Sequence, residues 1–272
     1  MIRSKIKVYI QHHGNMHCDP RWLINTPLLM ASRREPHKAA EWRSCPTHTV
    51  VVDHPDGRIL MDTACPRNWE ERWGATGLQE FFPYDEVKPE EYFEERLKQL
   101  KLDPSDFKYV FLTHLHFDHA GNIGVFKHSG AEVVVNKTEY NEAMKLEGIS
   151  QGGFIKADYD MEGIKYHLVE GDTQLVDGVT LLETPGHTWG TMCMQVDLPN
   201  SGTIIFTSDA IYLRDSYGPP AVGSPVVYDN LQWARSVEKI RNIAHKKNAT
   251  IVFGHDHAQI KELRLAPEAY YD

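Results

Sequence analysis

The sequence predicts an α+β protein, a four-layer αβ/βα sandwich in which two sheets pack face to face and helices cover their outer faces. Three observations predict it. Strand-length apolar runs come in two successive sets, and each set is followed by a segment with apolar residues on one helical face. Residues that carry chemistry close runs in both sets, so strand ends from the two halves can meet along one edge.

The first strands are expected at residues 7–10, 49–52, 58–61, 107–112 and 132–135. Pro55-Asp56-Gly57 separates two of them and is a hairpin signal, since Asp-Gly accepts the backbone twist of a tight turn. Pro89 opens a helix in which Tyr92, Phe93, Leu97 and Leu100 recur at helical spacing, helped by the Arg96 stem. A second helix is expected over 137–147, and Ser150-Gln151-Gly152-Gly153 reads as a loop. The second strands follow at 165–169, 179–183, 192–196, 203–207 and 250–253. A long helix over 229–246 carries Trp233, Val237, Ile240 and Ala244 on one face, behind Asp229 as its cap.

No low-complexity linker interrupts the 272 residues, which are read as a single domain with a substantial core. Residues 12–47 and 75–88 resemble insertions above the ligand-bearing edge; they carry Trp22, Trp42, Phe81, Phe82 and Tyr84 with little periodicity, as pocket walls or lids do. The net charge of −9 disfavours nucleic acid as a partner. Cys18, Cys45, Cys65 and Cys193 form no close pair, which suits reduced thiols and a cytoplasmic protein. Arg3, Lys5 and Lys7 precede no apolar export signal, and no apolar stretch approaches the roughly 20 residues needed to cross a bilayer.

The densest chemistry lies directly after Tyr109-Val110-Phe111-Leu112, where His114-Leu115-His116-Phe117-Asp118-His119 packs three imidazoles and a carboxylate into six residues. Clustered ionisable groups at the mouth of a buried strand are costly unless metal or water satisfies them. On a continuing strand His114 and His116 point to one side. Asp118 and His119 are adjacent and so expected to diverge, in a turn whose two faces feed different metals. His187 in Thr184-Pro185-Gly186-His187, Asp209 after Thr203–Ser208 and His255 after Thr250–Gly254 each end an apolar run. These candidates have no thiolate among them, which favours zinc, iron, manganese or cobalt. His128, His167 and His245 sit in polar stretches, and Gly14-Asn15 among His12, His13 and His17 reads as a turn.

With these residues in view, the chain resembles the metallo-β-lactamase superfamily, whose HxHxDH signature is present as His114, His116, Asp118 and His119. Asp62-Thr63-Ala64 is similar to the family's early DTG-like turn, and His187, Asp209 and His255 follow in the family's order. Within it the chain is most similar to N-acyl-homoserine lactonases, through Thr113–Asn122, Glu183–His187, Asp209-Ala210-Ile211-Tyr212 and Phe253-Gly254-His255-Asp256. The resemblance implies a four-layer sandwich of the metallo-β-lactamase type holding two divalent ions, Zn2+ first among the candidates. It implies one metal on His114, His116 and His187, a second on Asp118, His119 and His255, and Asp209 between them. It also places the Tyr212 hydroxyl beside the substrate carbonyl and Asp62 behind a ligand histidine.

Two departures stand out: Ala64 where the family often has Gly, and Thr188-Trp189-Gly190-Thr191 where relatives continue with a second Gly-His pair. Trp189 thus adds a large aromatic near the site. The expected reaction is hydrolytic opening of a lactone ring, with Tyr212 polarising the carbonyl oxygen and Asp118 or Asp209 carrying the proton to the leaving alkoxide. The expected partner is a small-molecule lactone or ester, with the chain a monomer or homodimer. Rival readings are a hydrolase of another lactone, such as one from pyridoxine breakdown, a glyoxalase-II-like thioester hydrolase, and a metal-containing sensor without turnover.

Overall fold

The computed structural model describes residues 6–147 and 150–272, which leaves Arg3 and Lys5 outside the described residues. Two sheets form its centre. In the first, β1 (Lys7–Cys18), β2 (Arg43–Asp53) and β3 (Arg58–Met61) pair antiparallel, the last two across the 55–57 turn. The sheet continues in parallel through β4 (Phe107–Phe111) and β5 (Glu132–Asn136). A small hairpin of β6 (Ser150–Gln151) and β7 (Phe154–Ile155) intervenes before β8 (Lys165–Val169) pairs parallel to β5. The second sheet holds β9 (Thr173–Val176), β10 (Val179–Glu183), β11 (Met192–Leu198), β12 (Gly202–Phe206) and β13 (Thr250–Val252), in the order 13-12-11-10-9.

Alternation along the strands builds the layers. Val50, Val52, Ile59, Met61 and Phe111 point inward and meet Val179, Leu181, Met194, Ile204 and Phe206 from the opposite sheet. Val51, Leu60, Val110 and Val133 point outward, onto Phe93 and Leu97 of α2 (Phe93–Gln99) and Ala143 of α3 (Lys137–Lys145). The short α1 (Trp69–Trp73) precedes these, and α4 (Lys156–Tyr159) adds Tyr159 to the same cluster. On the other side, Leu182, Cys193 and Ile205 receive Trp233, Val237 and Ile240 of the last helix, which follows the short α5 (Arg214–Tyr217). That helix, α6 (Asn230–Lys247), begins where Asp229 accepts from Leu231 N and Gln232 N, and it ends on Asn248 in the left-handed conformation that closes helices. The result is helix, sheet, sheet, helix.

Three expectations are revised. Residues 12–18 and 43–47 are not insertion but strand: β1 runs on to Cys18, past a bulge between His12 and Asn15, in register with β2. Its polar residues broke the apolar pattern, and they find partners far away in sequence, His13 at Thr49 and the Glu91 carbonyl, and His17 at Asp85. The strand at 165–169 belongs to the first sheet rather than the second, since it can only add in parallel beside β5. The helix expected from Pro89 starts as a 3-10 turn over Pro89–Glu91 and becomes α-helical at Phe93.

α3 is placed by two buried polar side chains. Asn136 caps it, accepting from Thr138 N and Glu139 N and donating to Glu183 Oε1. Glu139, wholly buried, accepts from Leu115 N at 3.1 Å and Gly190 N at 2.9 Å. It thereby straps the loop after β4 to the loop after β10. Burial pushes its carboxyl up to about 7 against the pull of Thr188 and the two backbone donors. Glu139→Ala leaves both N–H groups buried without acceptors and is expected to lower unfolding free energy by about 2–4 kcal/mol. Asn136→Ala should cost less, about 1 kcal/mol. Urea unfolding of the metal-free protein measures both.

Candidate metal centre

The carboxyl ends of β3, β4, β10, β12 and β13 open on one edge of the sandwich. β3 and β4 are parallel, β12 and β13 are parallel, and β10 is two antiparallel steps from β12. The segments leaving these ends carry Asp62, the 114–119 run, His187, Asp209 and His255. Tight turns hold them. Gly186 has φ of 136° and lies so close to α6 that a Cβ there would stand 2.3 Å from Trp233 N. The same helix donates Trp233 Nε1 to the Ala210 carbonyl at 2.8 Å and Ser236 Oγ to the Pro185 carbonyl at 2.7 Å. One helix therefore positions the loops of both His187 and Asp209. Asp62, Ala64 and Ser208 hold φ of 61°, 54° and 47°, a left-handed region unusual for residues with a Cβ and often found at functional sites. At Ala64 the turn is kept without the glycine common in the family.

All of the predicted ligand side chains are buried, and they gather in two groups: His114, His116, His187 and Asp209, and Asp118, His119 and His255. In the first, His187 Nε2 lies 3.1 Å from His114 Nε2 and 3.0 Å from His116 Nδ1. Asp209 spans the groups: Oδ2 stands 3.3 Å from His187 Nε2 and 3.6 Å from His114 Nε2, while Oδ1 stands 3.3 Å from His119 Nε2 and 2.9 Å from His255 Nε2. Asp118 Oδ2 is 3.4 Å from His119 Nε2 and 3.5 Å from His255 Nε2. Asp118 and His119 thus fall together instead of diverging. The His119 N to His116 O turn curls the backbone and brings the adjacent side chains to the same side.

The donor set fits cations. Three imidazole nitrogens pointing at one another cannot all be satisfied by protons, whereas lone pairs converging on a divalent ion can. Among the described residues His119 Nε2 is buried with no hydrogen-bond partner. Burial, with the neighbouring imidazoles, holds His114 well below its ordinary range, and burial brings His116 to about 3 and His187 to about 4. Neutral imidazole is the ligating form. Burial acts the same way on His119 and His255, but nearby carboxylates outweigh it: Asp118, Asp209 and Asp62 hold His119 well above its usual value, and Asp209 and Asp118 bring His255 to about 9. The second group therefore attracts positive charge.

Outer contacts orient four of the five rings, those of His114, His119, His187 and His255. Asp62 Oδ2 is 2.9 Å from His119 Nδ1, and its carboxylate also accepts from Thr113 N and Oγ1. Thr113 Oγ1 reaches His114 Nδ1 at 3.1 Å and Ser208 Oγ at 2.8 Å. The Pro46 carbonyl stands 2.9 Å from His255 Nδ1, and the Tyr212 hydroxyl 2.8 Å from His187 Nδ1. These partners fix which nitrogen of those four rings faces the centre. Thr113, Ser208, Glu139 and Pro46 went unread in the sequence. Only Thr113, adjoining the histidine run, carried a local signal.

A cavity of about 400 Å³ opens on the centre, lined by His116, Asp118, His187, Asp209, Tyr212 and His255 on one side. Trp22 and Leu23, Leu78, Phe81 and Phe82, and Phe117 form its apolar wall. Both loop segments singled out in the sequence thus contribute to it.

The metallo-beta-lactamase superfamily model matches residues 42–255. N-acyl homoserine lactonase AttM of Rhizobium radiobacter is 32% identical over 238 residues, covering 83% of this chain and 87% of AttM. N-acyl homoserine lactonase AiiA of Bacillus thuringiensis subsp. kurstaki is 30% identical over 229 residues, covering 82% and 86%. Among solved structures, an N-acyl homoserine lactone hydrolase with N-hexanoyl-L-homoserine at its catalytic metal center superposes with a TM-score of 0.80 at 26% identity, over 99% of this chain and 100% of the other. A mutant of B. thuringiensis AiiA with N-decanoyl-L-homoserine at the active site gives 0.82 at 25% identity over the same shares. Two sheets faced by helices, a buried His/Asp centre at their shared edge and a family match across most of the length lead to one conclusion: the chain belongs to the metallo-beta-lactamase superfamily.

Proposed function

We propose that this protein is a dinuclear metal-dependent hydrolase that opens the ring of N-acyl homoserine lactones. The observation that carries the reading is the pairing of two His/Asp groups, shared through Asp209, with an apolar cavity that ends on them. The likeness to AttM and AiiA supports the choice of substrate. His114, His116 and His187 would hold one ion, Asp118, His119 and His255 the other, and Asp209 both. Zinc suits an imidazole and carboxylate set without thiolates, with iron, manganese and cobalt as the other candidates. Such ions supply Lewis acidity, which lowers the pKa of water and polarises a carbonyl.

The chain's own residues do the rest. With its Nε2 given to an ion, His187 would carry its proton on Nδ1 and donate to the Tyr212 oxygen 2.8 Å away, which would leave the phenol proton to donate into the cavity. Burial, with Asp209 and Asp118 nearby, holds that phenol well above its ordinary value, so it stays a donor at neutral pH. There it stabilises the charge that develops on the lactone carbonyl oxygen. Asp118 meets its imidazole neighbours through Oδ2, so Oδ1 is the oxygen suited to carry a proton to the leaving alkoxide. Asp209 has both oxygens engaged and suits the task less. Asp62 acts through His119, as an orienting residue. The four buried free cysteines suit a reducing compartment, the cytoplasm. No helix of the described residues is long and apolar enough to cross a membrane.

Tyr212→Phe should lower turnover at least tenfold with metal content unchanged, one charge-directed donor being worth on the order of 2–4 kcal/mol. Unaltered turnover would remove Tyr212 from the mechanism. Chelation should abolish acid release from N-hexanoyl and N-decanoyl homoserine lactones and lower the thermal unfolding midpoint, with zinc restoring both. A zinc-loaded protein that cleaves thioesters but opens neither lactone would overturn the lactonase reading in favour of thioester hydrolysis.

A further inference from the structure

Trp189, which departs from the family pattern, does not face the 400 Å³ cavity. It helps line a second one of about 220 Å³, together with Phe154, Thr188 and Tyr228. The two cavities share His116, His187, Gly152 and Val226, so they meet at the first ligand group and diverge from it. A continuous run of rings forms the second: His116 to Phe154 at 4.5 Å, Phe154 to Trp189 at 5.0 Å, and Trp189 to Tyr228 at 5.2 Å between centroids. Tyr228 is 66% exposed and forms the outer rim. The Tyr228 N to His187 O bond, at 3.1 Å, ties that rim to the loop of a ligand histidine.

At this volume the pocket is below the range of about 300–1,000 Å³ that holds whole ligands, so it suits one part of a ligand. Its walls are aromatic and aliphatic, Phe154, Trp189 and Tyr228 with Leu146 and Val226; polar atoms come from the two candidate ligand histidines, Thr188, the Trp189 indole N–H and the Tyr228 hydroxyl at the rim, and none of the lining side chains is a carboxylate, lysine or arginine. A carbonyl carbon placed at the first ligand group has two groups attached through its ring, one on the acyl side and one beyond the ring oxygen. Two apolar cavities diverging from that point can take one group each.

We propose that the Trp189 pocket is a second substrate subsite that seats an alkyl substituent on the lactone ring, while the larger cavity takes the acyl chain. The substrate class then extends from N-acyl homoserine lactones to lactones alkylated on the carbon that bears the ring oxygen, and Trp189 and Tyr228 are specificity-determining residues. This rests on the lactonase reading of the same site.

The test compares γ-butyrolactone, γ-nonalactone (a pentyl group on the ring carbon) and N-hexanoyl homoserine lactone, using wild type, Trp189→Ala, Tyr228→Ala and Phe82→Ala. Because each methylene in an apolar pocket discriminates by tenfold or more, wild-type kcat/KM should be at least tenfold higher for γ-nonalactone than for γ-butyrolactone. Trp189→Ala and the rim variant Tyr228→Ala should lower kcat/KM for γ-nonalactone, mainly through KM, at least fivefold more than for N-hexanoyl homoserine lactone. Phe82→Ala should show the reverse preference. Calorimetric binding of the unreactive γ-pentyl lactam should weaken in the first two variants and not in the third. Opening of N-hexanoyl homoserine lactone with no gain for the pentyl group, or equal losses on both substrates in every variant, would overturn the subsite and leave the lactonase intact. Failure to open any lactone would overturn both.

Discussion

Burying seven imidazoles and carboxylates within a few ångströms of one another is the constraint on which the rest of this molecule depends. Ionised or unpaired, such groups are expensive in an apolar interior, and removing a partner from any one leaves an uncompensated polar group. The solution is division of labour. Four of the five rings turn one nitrogen to the centre and hand the other to a fixed acceptor or hydroxyl: Thr113 for His114, Asp62 for His119, Tyr212 for His187 and the Pro46 carbonyl for His255. The remaining cost would be met by cations, which the converging lone pairs of these residues could hold.

The scaffold answers the same constraint. Loops carrying ligands come from both sheets, so their relative position depends on how the sheets pack, and the shared core of Val50, Phe111, Met194 and Phe206 sets that packing. Two helices then lock the edge from either side. α6 grips the His187 and Asp209 loops through Trp233, Ser236 and the close approach at Gly186, while α3 joins the His114–His119 run to the 187–191 loop through Glu139. Glu139 has no cation beside it in these contacts; it gains its place by accepting backbone hydrogen bonds, which orient two loops at once.

Above the edge, the candidate ligands and most of the apolar walls come from different parts of the chain. The seven candidate ligands and Tyr212 belong to strand-end turns held by rigid elements, whereas most of the apolar wall comes from the 19–42 connection, the 75–88 segment and the residues around Trp189 and Tyr228. Loops of this kind can change without disturbing the sheets. Most of the apolar wall is thus written apart from the family signature, while Phe117 lies within it and Trp189 two residues beyond His187.

What the sequence by itself determined is whatever depends on neighbours along the chain. The alternating runs, the Asp-Gly turn before β3, the Asp229 cap and the six-residue histidine cluster are local patterns, and each was legible. So were the candidate ligands: the 114–119 cluster follows one apolar run, and His187, Asp209 and His255 each close another. Tertiary structure decided what depends on partners far away in sequence. β1 is a strand to Cys18 only because β2 pairs with it, and 165–169 joins the first sheet only because β5 offers a parallel edge. The His255 ring is set by a carbonyl 209 residues away, and Tyr212 is turned toward the cavity by a histidine 25 residues earlier. Adjacent Asp118 and His119 share a side because a turn overrides strand alternation. Residue type and spacing name the ligands, whereas the direction each side chain faces is a property of the packed fold.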